Sequence, residues 1–363
     1  MPALTPSTAV GGVSLSHVRA PYIPARRLGI AAVLVIAVGI TGCASDVPPV
    51  PMPTPTPTYT STYVAPAPTV IAPLTGETIV AGTAINPSLA AKIDNHKEAR
   101  PQVGLERTDI VFEELVEGGL TRYVAIWQSD VPDEIGPVRS IRPMDPDIVS
   151  AFGGIICYSG GQQRFVALMQ AAPVFNAIHG QKATSETFYR TTTKKAPHNV
   201  LVKASIVVGE HPDLPAPAQQ FAFSLDAASS TAAKDGTPTS ALNLVFSQAS
   251  QPSWTWDAAR GQFLRAQLGV ADLDSNGNQL GATNVIVIRV GIDTSLGVPK
   301  TQLLSSGEAW VSSGGMSVHA TWSKDEPTSA ISLTDDQGVT IRLAPGNSWI
   351  ELVPDTGSFT PVP

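Results

Sequence analysis

The second half of this chain is cut into short apolar runs by turn residues, which leaves little room for helices. Residues 242–246, 253–257, 262–268, 284–290, 308–312, 316–322, 330–333, 340–343 and 349–353 are such runs, many alternating apolar with polar. Between them stand Ser275-Asn276-Gly277-Asn278, Ser313-Gly314-Gly315, Asp336-Gln337-Gly338 and Pro345-Gly346-Asn347. A period of two, punctuated this often by residues that tolerate tight turns, predicts a mainly antiparallel all-β domain. Trp254 and Trp256, two apart, would share a face and offer a sugar-stacking platform.

The first half is mixed. Residues 90–93, 121–129 and 153–160 read as strands, the last apolar through its middle and therefore central in a sheet. Residues 108–116 fit either a strand or the start of a helix. Phe165, Leu168, Met169 and Ala172 fall at helical spacing and stop before Pro173. The expected class is α+β: an N-terminal mixed α/β domain over 74–220, then the β domain over 221–354 and a flexible tail over 355–363. The boundary is set near Gln220, between the low-complexity stretches 213–218 and 227–239.

Residues 1–42 do not enter the fold. Arg19, Arg26 and Arg27 precede the apolar run 28–40, which ends in Ile40-Thr41-Gly42-Cys43. At roughly 20 residues per membrane-spanning helix the run is short, and it reads as a secretory signal. The small residues before Cys43 match a lipobox, with Cys43 the lipidation site. Two acyl chains there would anchor the protein to the outer face of a bacterial cytoplasmic membrane. Residues 43–73 follow as a Pro/Thr-rich tether, its nine prolines favouring extended polyproline II.

Cleavage before Cys43 removes three arginines and no acids, taking the formal charge from -7 to -10. That surface excludes nucleic acid and anionic headgroups as partners, leaving the lipid anchor as the membrane contact. With Cys43 acylated, Cys157 is the remaining cysteine, and its apolar neighbours mark a core thiol.

Site-like composition concentrates between Lys92 and Arg142. Asp94, Asn95, Arg100, Gly118, Gly119, Thr121, Arg122, Arg139, Ser140 and Arg142, joined later by Asn199, are the candidate ligand-binding residues. Guanidinium forks bind phosphate or carboxylate bidentately, and the glycine pair would let backbone amides approach the same anion. Mutual ion pairing of these arginines with Asp94, Asp109, Glu113 and Glu117 is the competing reading. Glu113, Glu117 and His198 are the candidate acids and bases; Glu113 and Glu117, four apart, would share a face on either a helix or a strand. There is no nucleophile elbow, zinc-protease helix or phosphate loop. His96, His179 and His198 are scattered without zinc spacing, so neither a metal nor a cofactor is expected.

The strings AKIDNHKEARPQVGL, TDIVFEELVEGGLTRYVAIW, IGPVRSIRP and APHNV resemble the YerB-like lipoprotein family, whose N-terminal domain has no assigned function. GTPTSALNLVFS, NVIVIRV, HATWSK and LAPGNSWIELVP resemble that family's separate C-terminal domain. The resemblance implies a lipid-anchored, extracytoplasmic bacterial protein of two domains and hands over no reaction. The chain departs from the family pattern at Asp272-Leu273-Asp274, where a histidine motif often stands. The expected function is binding or scaffolding of a wall polymer or envelope protein, through an arginine-rich anion site. An enzyme acting on a phosphate-bearing or glycan envelope substrate is the alternative.

Overall fold

A computed structural model describes residues 62–363, of which Val64–Pro363 form one compact unit. The signal, Cys43 and most of the tether lie outside the described residues. The tether ends sooner than expected, because Thr69–Ile71 pairs with Thr78–Val80 in a hairpin and Ala72 is fully buried.

The chain is mainly β. Strands β1 (Leu89–Asp94), β2 (Ile110–Leu115) and β3 (Thr121–Trp127) come first, then helix α1 (Asp145–Val149) and strand β4 (Ile155–Tyr158). Helix α2 (Gln163–Ala171), strand β5 (Phe175–Ile178), strand β6 (Val200–Lys203) and helix α3 (Ala204–Gly209) complete the first half. Residues 108–116 resolve as strand, since Ile110 and Phe112 face one core and Val111 the other, a period of two. Between parallel β4 and β5 lies α2, a single β-α-β crossover. The remaining helices are short, so this half is a sheet with helices laid on it rather than an alternating α/β unit.

The second half supplies β7 (Ala241–Val245), β8 (Pro252–Asp257), β9 (Gln262–Gln267), β10 (Asn284–Val290), β11 (Ser306–Ser313), β12 (Met316–Ser323), β13 (Ser348–Pro354) and β14 (Ser358–Val362). The large sheet runs β12-β11-β10-β13-β2-β3-β1-β4-β5, so residues from both sides of Gln220 share it. Its centre is not antiparallel as expected: β13 pairs parallel with β10 and with β2, Ile350 lying beside both Ile286 and Phe112. A strand reading NVIVIRV, buried on both faces, suits that position.

One face of the sheet packs on α1, α2, Phe221 and Leu343; the other packs on α3 and a smaller sheet, β9-β8-β7-β14. Trp254 of β8 is fully buried in that second interface, edge-on to Trp349, so it is core and no sugar platform. Cys157 is likewise buried, and burial pushes its thiol pKa upward, out of reach of thiolate chemistry.

Residues 355–363 are not a flexible tail, because β14 pairs along all of β7 and Phe359 packs on Trp310 with ring centroids 5.0 Å apart. Cutting the chain after Pro354 strips an edge strand. It is expected to lower unfolding stability by roughly 2 kcal/mol or more, read as a fall in the thermal midpoint.

Candidate functional site

Strand alternation sorts the candidate residues onto the two faces of the β2-β3-β1 region. Lys92 and Asp94 of β1, Glu114 of β2 and Arg122 of β3 belong to the helix-covered face. Glu113 and Thr121 belong to the opposite one. Cross-strand register places Arg122 beside Asp94 on one side and Glu114 on the other.

Lys92 sits fully buried at the base of the first face. Its ammonium donates to Glu114 and, at 2.7 Å, to Asp145 at the start of α1. Burial brings its pKa down to about 8, against the opposing pull of Asp145. Asp145 also accepts from the Arg142 backbone N–H at 2.5 Å, and the Arg139 N–H donates to the Lys92 carbonyl at 2.8 Å. The 139–142 segment is thereby laid along the strand ends.

Three arginines converge there. Arg122 is 8 % exposed and donates to the Ser140 carbonyl at 2.6 Å; Arg142 Nη1 reaches the same carbonyl at 3.2 Å. Arg142 Nε donates to Glu117 at 2.6 Å, and Arg139 Nε lies 3.1 Å from Asp94 Oδ2. Arg122 has no carboxylate among the described residues at ion-pair distance. Burial, then the Arg142 and Arg139 charges, draw its pKa down to about 10. Glu117 is held below the usual carboxylate range, Arg142 outweighing its burial.

The opposite face holds a different assembly. Glu113, fully buried, accepts from Arg265 Nη2 and Thr121 Oγ1, each at 2.6 Å, and from Asn95 Nδ2 at 3.2 Å. Arg265 also bonds Asp272, and its guanidinium lies 5.4, 5.9 and 5.3 Å from the ring centroids of Tyr123, Trp254 and Trp349. Trp254 Nε1 donates to Glu351 at 2.7 Å. Burial, with Glu113 alongside, pushes Glu351 well above the usual carboxyl range, against the opposing pull of Arg265.

This corrects several sequence expectations. Glu113 is a sealed structural carboxylate with no access to a substrate, and it does not share a face or a partner with Glu117. Asn95 and Thr121 belong to the Glu113 network, and Arg100 is turned to Asn95 Oδ1 at 3.0 Å rather than to the arginine cluster. Asn199 braces its own loop, donating to the Thr191 carbonyl at 3.0 Å and accepting from Arg190 at 2.7 Å. Gly118 and Gly119 both take positive φ, 72°, and the Gly119 carbonyl accepts from Ser247 at 2.5 Å, docking the turn against the second half. Asp272 is one arm of the Arg265 ion pair.

The histidines expected to be scattered are partly gathered. His96 and His198 stack with centroids 4.4 Å apart and planes 15° from parallel. His198 Nδ1 lies 2.6 Å from Asp94 Oδ2, and Glu98 stands beside both rings. An open cleft of about 590 Å³, lined by Glu98, Arg100, Lys194 and Lys195 among others, adjoins them. Sequence pattern did not single out Lys92, Asp145, Glu98 and Arg265 as members of these clusters. Lys92 inside AAKID and Arg265 on the buried phase of QFLRAQ were the available signals: a charge standing where alternation calls for an apolar side chain.

Comparison with known proteins follows this architecture. Residues 74–213 match the model for the N-terminal domain of the proteins of unknown function DUF3048, and residues 241–350 match that of its C-terminal domain. A Bacillus subtilis (strain 168) protein described as "Putative lipoprotein YerB" is 27% identical over 299 residues, covering 78% of this chain and 86% of that protein. The crystal structure of the YerB protein from Bacillus subtilis superposes with a TM-score of 0.69 at 23% identity, over 80% of this chain and 99% of that one. That likeness shows a shared fold.

Proposed function

The chain belongs to the YerB-like family of DUF3048 proteins, and from that premise we propose that it is a lipid-anchored extracytoplasmic binding protein whose ligand is a phosphate-bearing wall polymer. Acylated Cys43 holds it at the outer face of the membrane, and the proline-rich segment extends the folded part toward the wall. The ligand site is the edge where Arg122, Arg139 and Arg142 meet.

The state of Arg122 carries this reading. Its guanidinium is largely withdrawn from water, is satisfied in part by the Ser140 carbonyl, and feels the Arg142 and Arg139 charges more strongly than the opposing Asp94 and Glu117. A buried cation without a paired anion is costly, and like charges beside it add to the cost. An arriving phosphate removes both penalties and accepts the fork bidentately. Asp94 and Glu117, bound to Arg139 and Arg142, keep the edge from being excessively positive. The sealed position of Glu113 supports binding over glycosidic cleavage by a carboxylate pair.

The test uses the full chain in detergent against a purified phosphate-containing wall polymer and an uncharged wall glycan. Arg122→Met is expected to weaken polymer binding about 10-fold or more, the scale of one charge-assisted hydrogen bond, and to leave glycan binding unchanged. Equal polymer binding by both proteins, with folding intact, would overturn the proposal.

A further inference from the structure

We propose that His96, Glu98 and His198 form a binding site for a zinc-type divalent cation, with Asp94 as the outer carboxylate that fixes His198. The inference goes beyond the anion site and does not depend on it, since the cation is bound by different atoms.

The local geometry carries it. One ligand atom from each of His96, Glu98 and His198 lies within 4.8 Å of the other two. Two ligands of one zinc at roughly 2.0–2.1 Å sit nearer than that, so closing the site takes a swing of exposed Glu98 and a turn of the part-buried His96 ring out of its stack on His198, because a ligated metal lies in the plane of each imidazole. His198 Nδ1–H donates to Asp94 Oδ2 at 2.6 Å, which leaves the Nε2 lone pair outward, 3.8 Å from Glu98 Oε2. A carboxylate behind a ligating imidazole is the outer arrangement that fixes the tautomer and raises ligand basicity.

Asp94 is itself held in place. Its Oδ1 accepts from the His96 N–H at 3.1 Å, and Arg139 Nε stands 3.1 Å from Oδ2. His96 Nδ1 accepts from the Glu98 N–H at 3.2 Å. Ligation through Nε2 therefore moves the His96 proton from Nε2 to Nδ1 and exchanges that weak contact for a coordination bond.

The donor set selects the metal class. Two imidazoles and one carboxylate suit zinc and its borderline neighbours, whereas calcium and magnesium call for oxygen ligands alone. Three protein ligands leave a coordination position for water or an anion, as in open zinc sites. Lys194 and Lys195 line the adjoining cleft and do not compete as ligands while protonated. The sequence conceals the set because His198 stands about a hundred residues after the local pair His96 and Glu98; the fold joins them through the Asp94 carboxylate.

The full chain in detergent, stripped with a chelator, is titrated with Zn²⁺ alone against a chromophoric competitor, and with Co²⁺ for its d–d absorption. One cation per chain is expected. His198→Ala and His96→Ala should weaken binding about 100-fold. Asp94→Asn should weaken it roughly 10–100-fold, as loss of an outer partner does. Glu98→Gln should cost about 10-fold and shift the Co²⁺ spectrum. His179→Ala, a histidine outside the ligand set, serves as the unchanged control. Failure of the wild type to take up Zn²⁺ at micromolar concentration, or equal uptake by Glu98→Gln and His96→Ala, would overturn the site. Glu98 is exposed, so its variant keeps the test decisive if His198→Ala does not fold.

Discussion

Replacing Arg265 by leucine should lower unfolding stability by about 3–5 kcal/mol, the cost of leaving buried charges without their partner. The guanidinium bonds Glu113 from the first half and Asp272 from the second, and it lies among three aromatic rings. Leucine fills part of the volume but leaves two carboxylates, Glu113 and Asp272, sealed from water without their cation. Changing Glu113→Gln and Asp272→Asn in the same chain removes those stranded charges and is expected to recover much of the loss. Chemical denaturation of the single and triple variants checks both statements. A single variant as stable as wild type would mean that the network does not join the two halves.

Lys92→Met is expected to cost a similar amount, about 3–5 kcal/mol, by stranding Glu114 and Asp145 beneath the arginine edge. Its pH dependence has a definite sign. The folded pKa of Lys92, about 8, lies below its ordinary 10.5, so the unfolded chain binds more protons between those values. Stability from this group therefore rises with pH across that window. Wild type should gain on Lys92→Met as pH climbs from 8 toward 10.5, read as the difference in denaturation midpoints. A difference that shrinks over that range would contradict the assignment. Loss of Lys92 should also loosen the 139–142 segment, since Asp145 holds the Arg142 backbone.

The β character of the chain was legible because alternation and turn residues are local signals. The strand 284–290 and the helix beginning near Gln163 could be placed from their own residues. What was not legible was pairing over long separations. Nothing within SWIELVP says that it lies parallel to both NVIVIRV and IVFEEL and welds the two halves into one sheet. The same limit applied to the site. Composition singled out one stretch, yet Glu113 and Arg122 fall on opposite sheet faces, and only the strand register separates the structural carboxylate from the arginine edge. Trp254 shows the converse error: its phase in the strand was read correctly, but a second sheet covers the face it occupies.

The central claim is that the Arg122 edge receives an anion, and titration of inorganic pyrophosphate into the full chain at low and physiological salt tests it most directly. The account predicts saturable binding that weakens about 10-fold or more in Arg122→Met and falls with added salt, with the variant's unfolding midpoint close to that of wild type. Pyrophosphate binding identical in wild type and Arg122→Met, or no binding by a folded wild type even at low salt, would contradict it and return these arginines to a purely structural role.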